Sequence, residues 1–264
     1  MQSIKIIANQ KRDTGLVYAN EVRDYLIGRG YDADIIEPCK QASPALFCVV
    51  LGGDGTMLRV AHYAAIYDTP MIGINLGNLG FLTDVDKAQG ITALSNILEG
   101  RHVNEKRIML ESEFGTDEII PIQQRLSLNE VCLGNMGKLG EYSIYVNEQH
   151  MVTMRADAII VSTPTGSTAY NLAAGGPILV SGGQMVVITP VCPHSLSARP
   201  LVVGTSDTVR VVAKQNSSVR IDGNKRGTVL CGESIFIKTS HYRATILKTT
   251  YTNFYSTLRK KKLL

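Results

Sequence analysis

No two of the five cysteines, Cys39, Cys48, Cys132, Cys192 and Cys231, stand at C-x-x-C spacing, and no histidine cluster accompanies them. That excludes a readable zinc site, and an odd count without framework spacing fits reduced thiols in packing roles in a cytoplasmic protein. None of the five histidines has the spacing of a metal ligand set. No apolar run reaches the about 18 residues of a membrane span. Met1-Gln2-Ser3-Ile4-Lys5 leads directly into a short strand pattern, without a charged n-region and apolar h-region. The chain therefore reads as neither secreted nor membrane-spanning. No charge dominates either: 27 basic residues against 23 acidic give +4, and Arg259, Lys260, Lys261 and Lys262 account for it. The body is balanced, which excludes a broad nucleic-acid surface, and a short basic end reads as a solvated tail. A G-x-G-x-x-G fingerprint from Gly53 fails at Leu58, and G-x-S-x-G is absent.

What is present is a chain of 264 residues, 44% hydrophobic and 19% charged, long enough for one large or two modest domains. Residues 1–102 alternate strand and helix patterns: Ile4 to Ala8, a helix from about Thr14 to Ile27 stopped by Gly28 and Gly30, then Tyr31 to Ile36. Ser43-Pro44 leads into the apolar run Leu46 to Leu51, a helix pattern follows from Met57 to Ala65, and Pro70 to Ile74 is a further buried strand. This is an open α/β unit with a mostly parallel sheet. From Val103 to 248 the pattern becomes short alternating runs: Ile108–Phe114, Leu126–Leu133, Tyr142–Val146, Ala156–Ser162, Met185–Thr189, Val209–Val212, Ser218–Asp222 and Ser234–Lys238. They predict an all-β sandwich domain. A strand from Tyr242 to Thr249 can belong to either domain, and segment 249–264 can pack back on the first. Without a repeat or low-complexity linker, the two parts are expected to pack tightly.

Gly52-Gly53-Asp54-Gly55-Thr56 falls at a strand-to-helix turn. Its glycines permit close backbone approach, and the helix N-terminus, with Thr56 near the cap, offers unpaired N–H groups to an anion. Asp54 has the wrong sign for holding phosphate. In a nucleotide-processing loop it would act as general base on an attacking hydroxyl or organise Mg²⁺, and the combination points to phosphoryl transfer. A glycine-rich turn with a solvated aspartate is the plain alternative. Gly77-Asn78-Leu79-Gly80-Phe81 follows the next strand, so two glycine-bearing loops face one crevice at the carboxyl ends of parallel strands.

Ser162-Thr163-Pro164-Thr165-Gly166-Ser167-Thr168-Ala169-Tyr170 carries more hydroxyls than a turn needs, which favours a polar ligand, with Tyr170 as an aromatic face for a base. Asn129-Glu130 interrupts the strand Leu126–Leu133. An amide there matches an adenine edge, and a carboxylate can accept from ribose hydroxyls; an exposed strand face is the alternative. Arg155 and Asp157, two apart, share a strand face if the alternation holds.

The ordered set Gly52-Gly53-Asp54-Gly55-Thr56, Asn78-Leu79-Gly80-Phe81-Leu82, Asn129-Glu130 and Thr163 through Tyr170 resembles the bacterial NAD kinases over nearly the whole chain. The first motif is shared with lipid kinases and phosphofructokinases, whereas the last two together are more specific. The resemblance implies phosphorylation of the adenosine ribose 2′-hydroxyl of NAD to NADP, with ATP or polyphosphate as donor and Mg²⁺ as the accompanying divalent ion, no metal cluster being held by the protein. It also implies a homo-oligomer, dimer or tetramer, with shared sites, and no nucleic-acid or membrane partner. By position, Asp54 is the proton acceptor and Gly55 and Phe81 lie against substrate. Asn129 and Glu130 hold the adenosine part. Lys138, which replaces a histidine of some relatives, joins Arg155, Asp157, Thr168, Ala169, Tyr170, Asn171, Leu172 and Ala173 around the pocket, with Asp157 reaching a neighbouring subunit's ligand. Arg59 and Asn224 match positions that touch the nucleotide. A lipid kinase would use the same loop, and a non-catalytic NAD sensor would keep the pocket without needing Asp54.

Overall fold

The computed structural model describes residues 3–37, 44–78, 80–83, 85–115, 120–249 and 254–263, so Cys39, Ser43 and Leu79 lie outside the described residues. The chain divides into two compact units, Met1–Arg107 with Arg243–Leu264, and Ile108–Tyr242. The sequence pattern set these divisions at 102/103 and 248/249.

The first unit contains β1 (Ser3–Ala8), α1 (Val17–Gly28), β2 (Asp32–Ile35), β3 (Phe47–Gly52), α2 (Asp54–Ile66), β4 (Met71–Asn75), β5 (Val85–Asp86) and α3 (Gly90–Leu98). The strands β2-β1-β3-β4 lie side by side and parallel, and β5 runs parallel beside β4. Every residue of β3 and β4 is buried, which is why these segments read as unbroken apolar runs rather than alternations. Ile6, Val49, Leu51, Ile72 and Ile74 share one core with Val22 and Leu26 of α1 and Leu94 of α3. The chain goes from β1 to β2 on one side and then returns to β3 on the other. The space beyond the ends of β1 and β3 is therefore a topological switch point, the place where open parallel sheets bind ligands.

The second unit is built from the remaining strands: β6 (Val103–Glu113), where the chain leaves the first unit, β7 (Leu126–Ser127), β8 (Glu130–Gly134), β9 (Gly140–Val146), β10 (Gln149–Ala156), β11 (Ala158–Ser162), β12 (Met185–Val191), β13 (Leu201–Gly204), β14 (Val209–Ala213), β15 (Ser217–Ile221), β16 (Asn224–Val229) and β17 (Ser234–Lys248). Short helices α4 (Ile122–Arg125) and α5 (Tyr170–Ala173) interrupt them. One antiparallel sheet runs β13-β12-β11-β8-β15-β16; in the other, β10-β9-β14 is followed by the first part of β17. Alternation in β14 and β15 sends Val209, Val211, Val219 and Ile221 into a single core with Val131, Ile144, Ile159 and Ile188 from both sheets. The fold class is thus the expected one, an α/β unit with a parallel sheet and an all-β sandwich.

Several elements differ from their sequence reading. β17 is one strand of 15 residues, joining the expected 234–238 and 242–249 segments; its end returns to the first unit, where Ile246 pairs with Met71. Strand β10 is exposed along nearly its whole length, so no polarity alternation marked it. The four basic residues 259–262 are exposed, as expected, but the segment that carries them forms α6 (Phe254–Lys260), in which Leu258 is buried; the Phe254 ring lies 6.3 Å from that of Phe81, and Lys261 Nζ sits 5.2 Å from the Phe81 ring centroid. Cys48 and Cys132 are packing residues whose thiols burial pushes up to about 12, whereas Cys192 and Cys231 are exposed.

Candidate functional site

In the α/β unit, β3 delivers Gly52 and Gly53 into the first turn of α2, with Gly53 at the cap and Asp54 as the first helical residue. Asp54 does not simply face solvent. Its Oδ2 accepts the amide of Phe81 at 2.8 Å, and its Oδ1 accepts the amides of Leu82 (3.0 Å) and Thr83 (3.2 Å) and the Thr83 hydroxyl (3.1 Å). One carboxylate therefore joins the two glycine-bearing loops. A methyl group on Gly80 would collide with Asp54 Oδ1 and stand 2.5 Å from Thr83 Oγ1, so this position admits only glycine while the carboxylate stays in place. Gly55 is exposed, and a side chain there would meet nothing within 4 Å. The loop is closed on the Asp54 side and open on the Gly55 side.

Sequence reasoning missed Arg12. It follows β1 at the switch point, is exposed, and its guanidinium makes no hydrogen bond or ion pair among the described residues. A methyl group on Gly77 would lie 2.8 Å from Arg12 Nη1, and one on Gly53 3.2 Å from it. The cation thus lies over both glycine loops, beside the amides that a helix N-terminus leaves unpaired. Asn9 of the same turn reaches Thr56 Oγ1 at 3.5 Å. Only strand order brings Arg12 here, and no local signal marks it. Arg59 is exposed one turn along α2.

In the β unit, the expected strand 126–133 is broken, because the amides of Leu128, Asn129 and Glu130 all donate to the Asp222 carboxylate at 2.9, 2.8 and 3.2 Å instead of to a neighbouring strand. Asp222 stands in a left-handed turn (φ 47°) between β15 and β16. It is the second residue that sequence reasoning left unassigned, although Asn224 beside it was named; Asn224 is exposed, its Nδ2 donating to the Asp222 carbonyl at 3.2 Å. Glu130 is buried, and burial together with the charge of Asp222 pushes its carboxyl up to about 8.

The hydroxyls of Ser162, Thr163, Ser167 and Thr168 face the protein's own backbone. Thr163 Oγ1 donates to Leu128 O at 2.6 Å and accepts from Gly166 N, Ser162 Oγ donates to the carbonyls of Asn129 and Thr163, and Ser167 Oγ bridges Pro164 O and Leu179. They lock the segment against Asn129 rather than waiting for a ligand, which corrects the reading of their excess. Asn171 is fully buried, with Nδ2 donating to Ser167 O and Pro177 O and Oδ1 accepting from Thr189. Its side chain is thus bonded within the protein. Thr168, Ala169, Tyr170 and Leu172 are half-buried and Ala173 is exposed. Tyr170 donates to Met136 Sδ at 3.1 Å.

Arg155 and Asp157 do not share a strand face. Arg155 is exposed on β10 of one sheet, while Asp157 stands at the corner where the chain crosses to β11 of the other. Asp157 Oδ2 accepts Gly137 N at 3.2 Å and its carbonyl accepts Asn135 N, so it holds the turn that presents the exposed Lys138.

Residues 38–102 match the ATP-NAD kinase N-terminal domain and residues 128–249 the ATP-NAD kinase C-terminal domain. The chain belongs to the ATP-NAD kinase family. An NAD kinase of Caldanaerobacter subterraneus is 35% identical, with 99% of each chain covered, and one of Ruminiclostridium cellulolyticum is 34% identical, with 99% of this chain and 98% of the other covered. Among solved structures, yeast NADH kinase complexed with NADH superposes at TM-score 0.85 and 20% identity over 100% of this chain and 88% of that one. An NAD kinase from Archaeoglobus fulgidus in complex with ATP gives 0.80 and 23%, over 98% and 99%. These two matches show that the fold is that of the ATP-NAD kinases. In this ATP-NAD kinase chain two carboxylates each accept from three consecutive backbone amides: Asp54 from Phe81, Leu82 and Thr83, and Asp222 from Leu128, Asn129 and Glu130.

Proposed function

We propose that this chain phosphorylates the adenosine ribose 2′-hydroxyl of NAD, giving NADP, with ATP or another phosphoryl donor such as polyphosphate. The observation that carries the reading is the state of Asp54. Its Oδ1 is saturated by three donors, while Oδ2 accepts one and keeps room for a second. Oδ2 is then the atom that takes the ribose proton as the 2′-oxygen bonds to the γ-phosphorus and the bond from that phosphorus to the β,γ-bridging oxygen breaks, leaving ADP. The α2 N-terminus and Arg12 supply positive potential for the donor's phosphates. Asn129, Glu130 and the Thr168–Tyr170 backbone take the adenosine, with Lys138 beside them.

Mg²⁺ supplies charge neutralisation at the phosphates in such reactions. Among the described residues no three acidic, histidine or cysteine side chains gather into a cation site, and Asp54 offers one open oxygen. The residues suit an ion that arrives on the nucleotide. The family pattern further supports a cytoplasmic homo-oligomer, dimer or tetramer, in which Arg155 and Asp157 reach a neighbouring subunit's ligand. Among the described residues, no helix is long and apolar enough to cross a membrane.

The test is to incubate purified protein with labelled ATP and, in separate reactions, NAD, NADH, diacylglycerol and a sphingoid base. NADP formation with no labelled lipid is the expected result. Labelled lipid without NADP would reassign the chain to lipid phosphorylation, and NAD binding without transfer would make it a sensor.

A further inference from the structure

Glu130 and Asp222 are neighbouring carboxyls with opposite surroundings. Asp222 receives three backbone amides. Glu130 receives no such set: it is 6% exposed, and its Oε2 is sealed from solvent without a hydrogen-bond partner among the described residues. Among the described residues no cation offsets its burial. The groups it interacts with electrostatically are Cys132 on its own strand, Asp222 in the β15–β16 turn and Tyr170 in the α5 segment, which are neutral or acidic. The Arg220 guanidinium points to the Gly223 carbonyl at 3.4 Å. Ser162, opposite Glu130 across the β8–β11 pairing, gives its hydroxyl to the carbonyls of Asn129 and Thr163. Burial and the neighbouring Asp222 carboxylate both favour the neutral form of Glu130.

We propose that Glu130 engages the nucleotide as a neutral carboxylic acid, donating a hydrogen bond to an uncharged acceptor of the adenosine, a ring nitrogen or ribose oxygen, rather than accepting from ribose hydroxyls as a carboxylate. The inference rests on the reading of this chain as NAD-binding. It gives the buried carboxyl the one partner it lacks, and it avoids placing a second negative charge beside Asp222 where a diphosphate-bearing ligand must bind. It also makes NAD binding proton-linked: the bound complex keeps a proton that the free protein releases above about pH 8.

Titration calorimetry of NAD into the full-length protein, at several pH values on either side of 8 and in two buffers of different ionisation enthalpy, tests this. Wild-type affinity should be level on the acid side and fall by up to about tenfold per pH unit on the alkaline side, with uptake of one proton per NAD bound. Glu130→Gln, which keeps a donor, should retain neutral-pH affinity and lose both the pH dependence and the proton uptake. Glu130→Ala should bind weakly at every pH. A wild-type affinity that is flat, or that rises with pH, overturns the neutral-acid proposal while leaving NAD binding intact, as does Glu130→Gln binding as poorly as Glu130→Ala. Failure of wild-type protein to bind NAD at any pH overturns the underlying reading and the proposal together. Should a variant fail to fold, the wild-type profile and proton count still decide.

Discussion

Thr83 grips Asp54 at two points, its amide at 3.2 Å and its hydroxyl at 3.1 Å from the same carboxylate oxygen, Oδ1. Thr83 is fully buried, so the grip is not shared with solvent. Holding Oδ1 in this way orients Oδ2 and leaves it as the reactive edge of the carboxylate. A general base fixed in orientation loses little freedom when the hydroxyl arrives, which is where a positioned group gains most of its effect.

Asp54→Asn can keep an oxygen at the Oδ1 position with its three donors, but it sets an NH₂ against the Phe81 amide and removes the proton acceptor. Turnover should fall by about 10²-fold or more with folding and NAD binding retained. Coupled detection of NADP beside a thermal melt checks both halves; near-normal turnover would remove Asp54 from its role as base.

Gly80→Ala tests the grip without touching an ionisable group. The added methyl collides with Asp54 Oδ1 and meets Thr83 Oγ1 at 2.5 Å, so the carboxylate must swing away. Activity should drop by at least about tenfold, since small misplacements of a catalytic group are costly. Retention of wild-type kcat would show that Asp54 acts from another position.

Arg12→Ala should raise KM for ATP by about tenfold or more, in keeping with a lost charged hydrogen bond, and leave the Kd for NAD nearly unchanged. Arg12→Lys should recover part of the loss. Steady-state kinetics with each substrate varied in turn separates the two, and an equal rise in both KM values would argue against phosphate binding.

Asn129→Ala should weaken NAD binding by about 1–3 kcal/mol, the usual cost of leaving a polar partner unpaired. The Asn129 amide and carbonyl, which Asp222, Thr163 and Ser162 use, are unaffected by the change, so melting temperature should move little. Unchanged calorimetric affinity would place this side chain outside the pocket.

Burial of Glu130 also predicts how stability responds to pH. Its carboxyl is raised from 4.5 to about 8 on folding, so between those values the folded chain binds more protons than the unfolded one. The contribution of this group is therefore fully present below about 4.5 and is lost as pH rises through about 8. Glu130→Gln should melt higher than wild type by a margin that grows across that window and levels off above it. A margin independent of pH would contradict the shifted carboxyl.

Elements whose signals are local were legible in the sequence. The apolar runs at 47–52 and 71–75 and the glycine loop between a strand and a helix declare themselves within a few residues, and the alternating runs beyond 103 announce a sandwich. Asp54 stood out for the same reason, as a lone carboxylate in a loop otherwise suited to anions. What each carboxylate does was decided only by tertiary structure. Asp54 meets amides 27 to 29 residues away, and Asp222 meets amides 92 to 94 residues away, breaking a strand that its own sequence would have continued. The hydroxyls of Ser162, Thr163 and Ser167 looked ligand-facing because composition does not say which way a side chain turns, and burial turned them inward. Arg12 reaches the glycine loops because β1 lies between β2 and β3, an order set by the pairing of strands and by no residue near Arg12 itself. Periodicity records which face a segment buries; which distant partner fills that face depends on closing the chain upon itself.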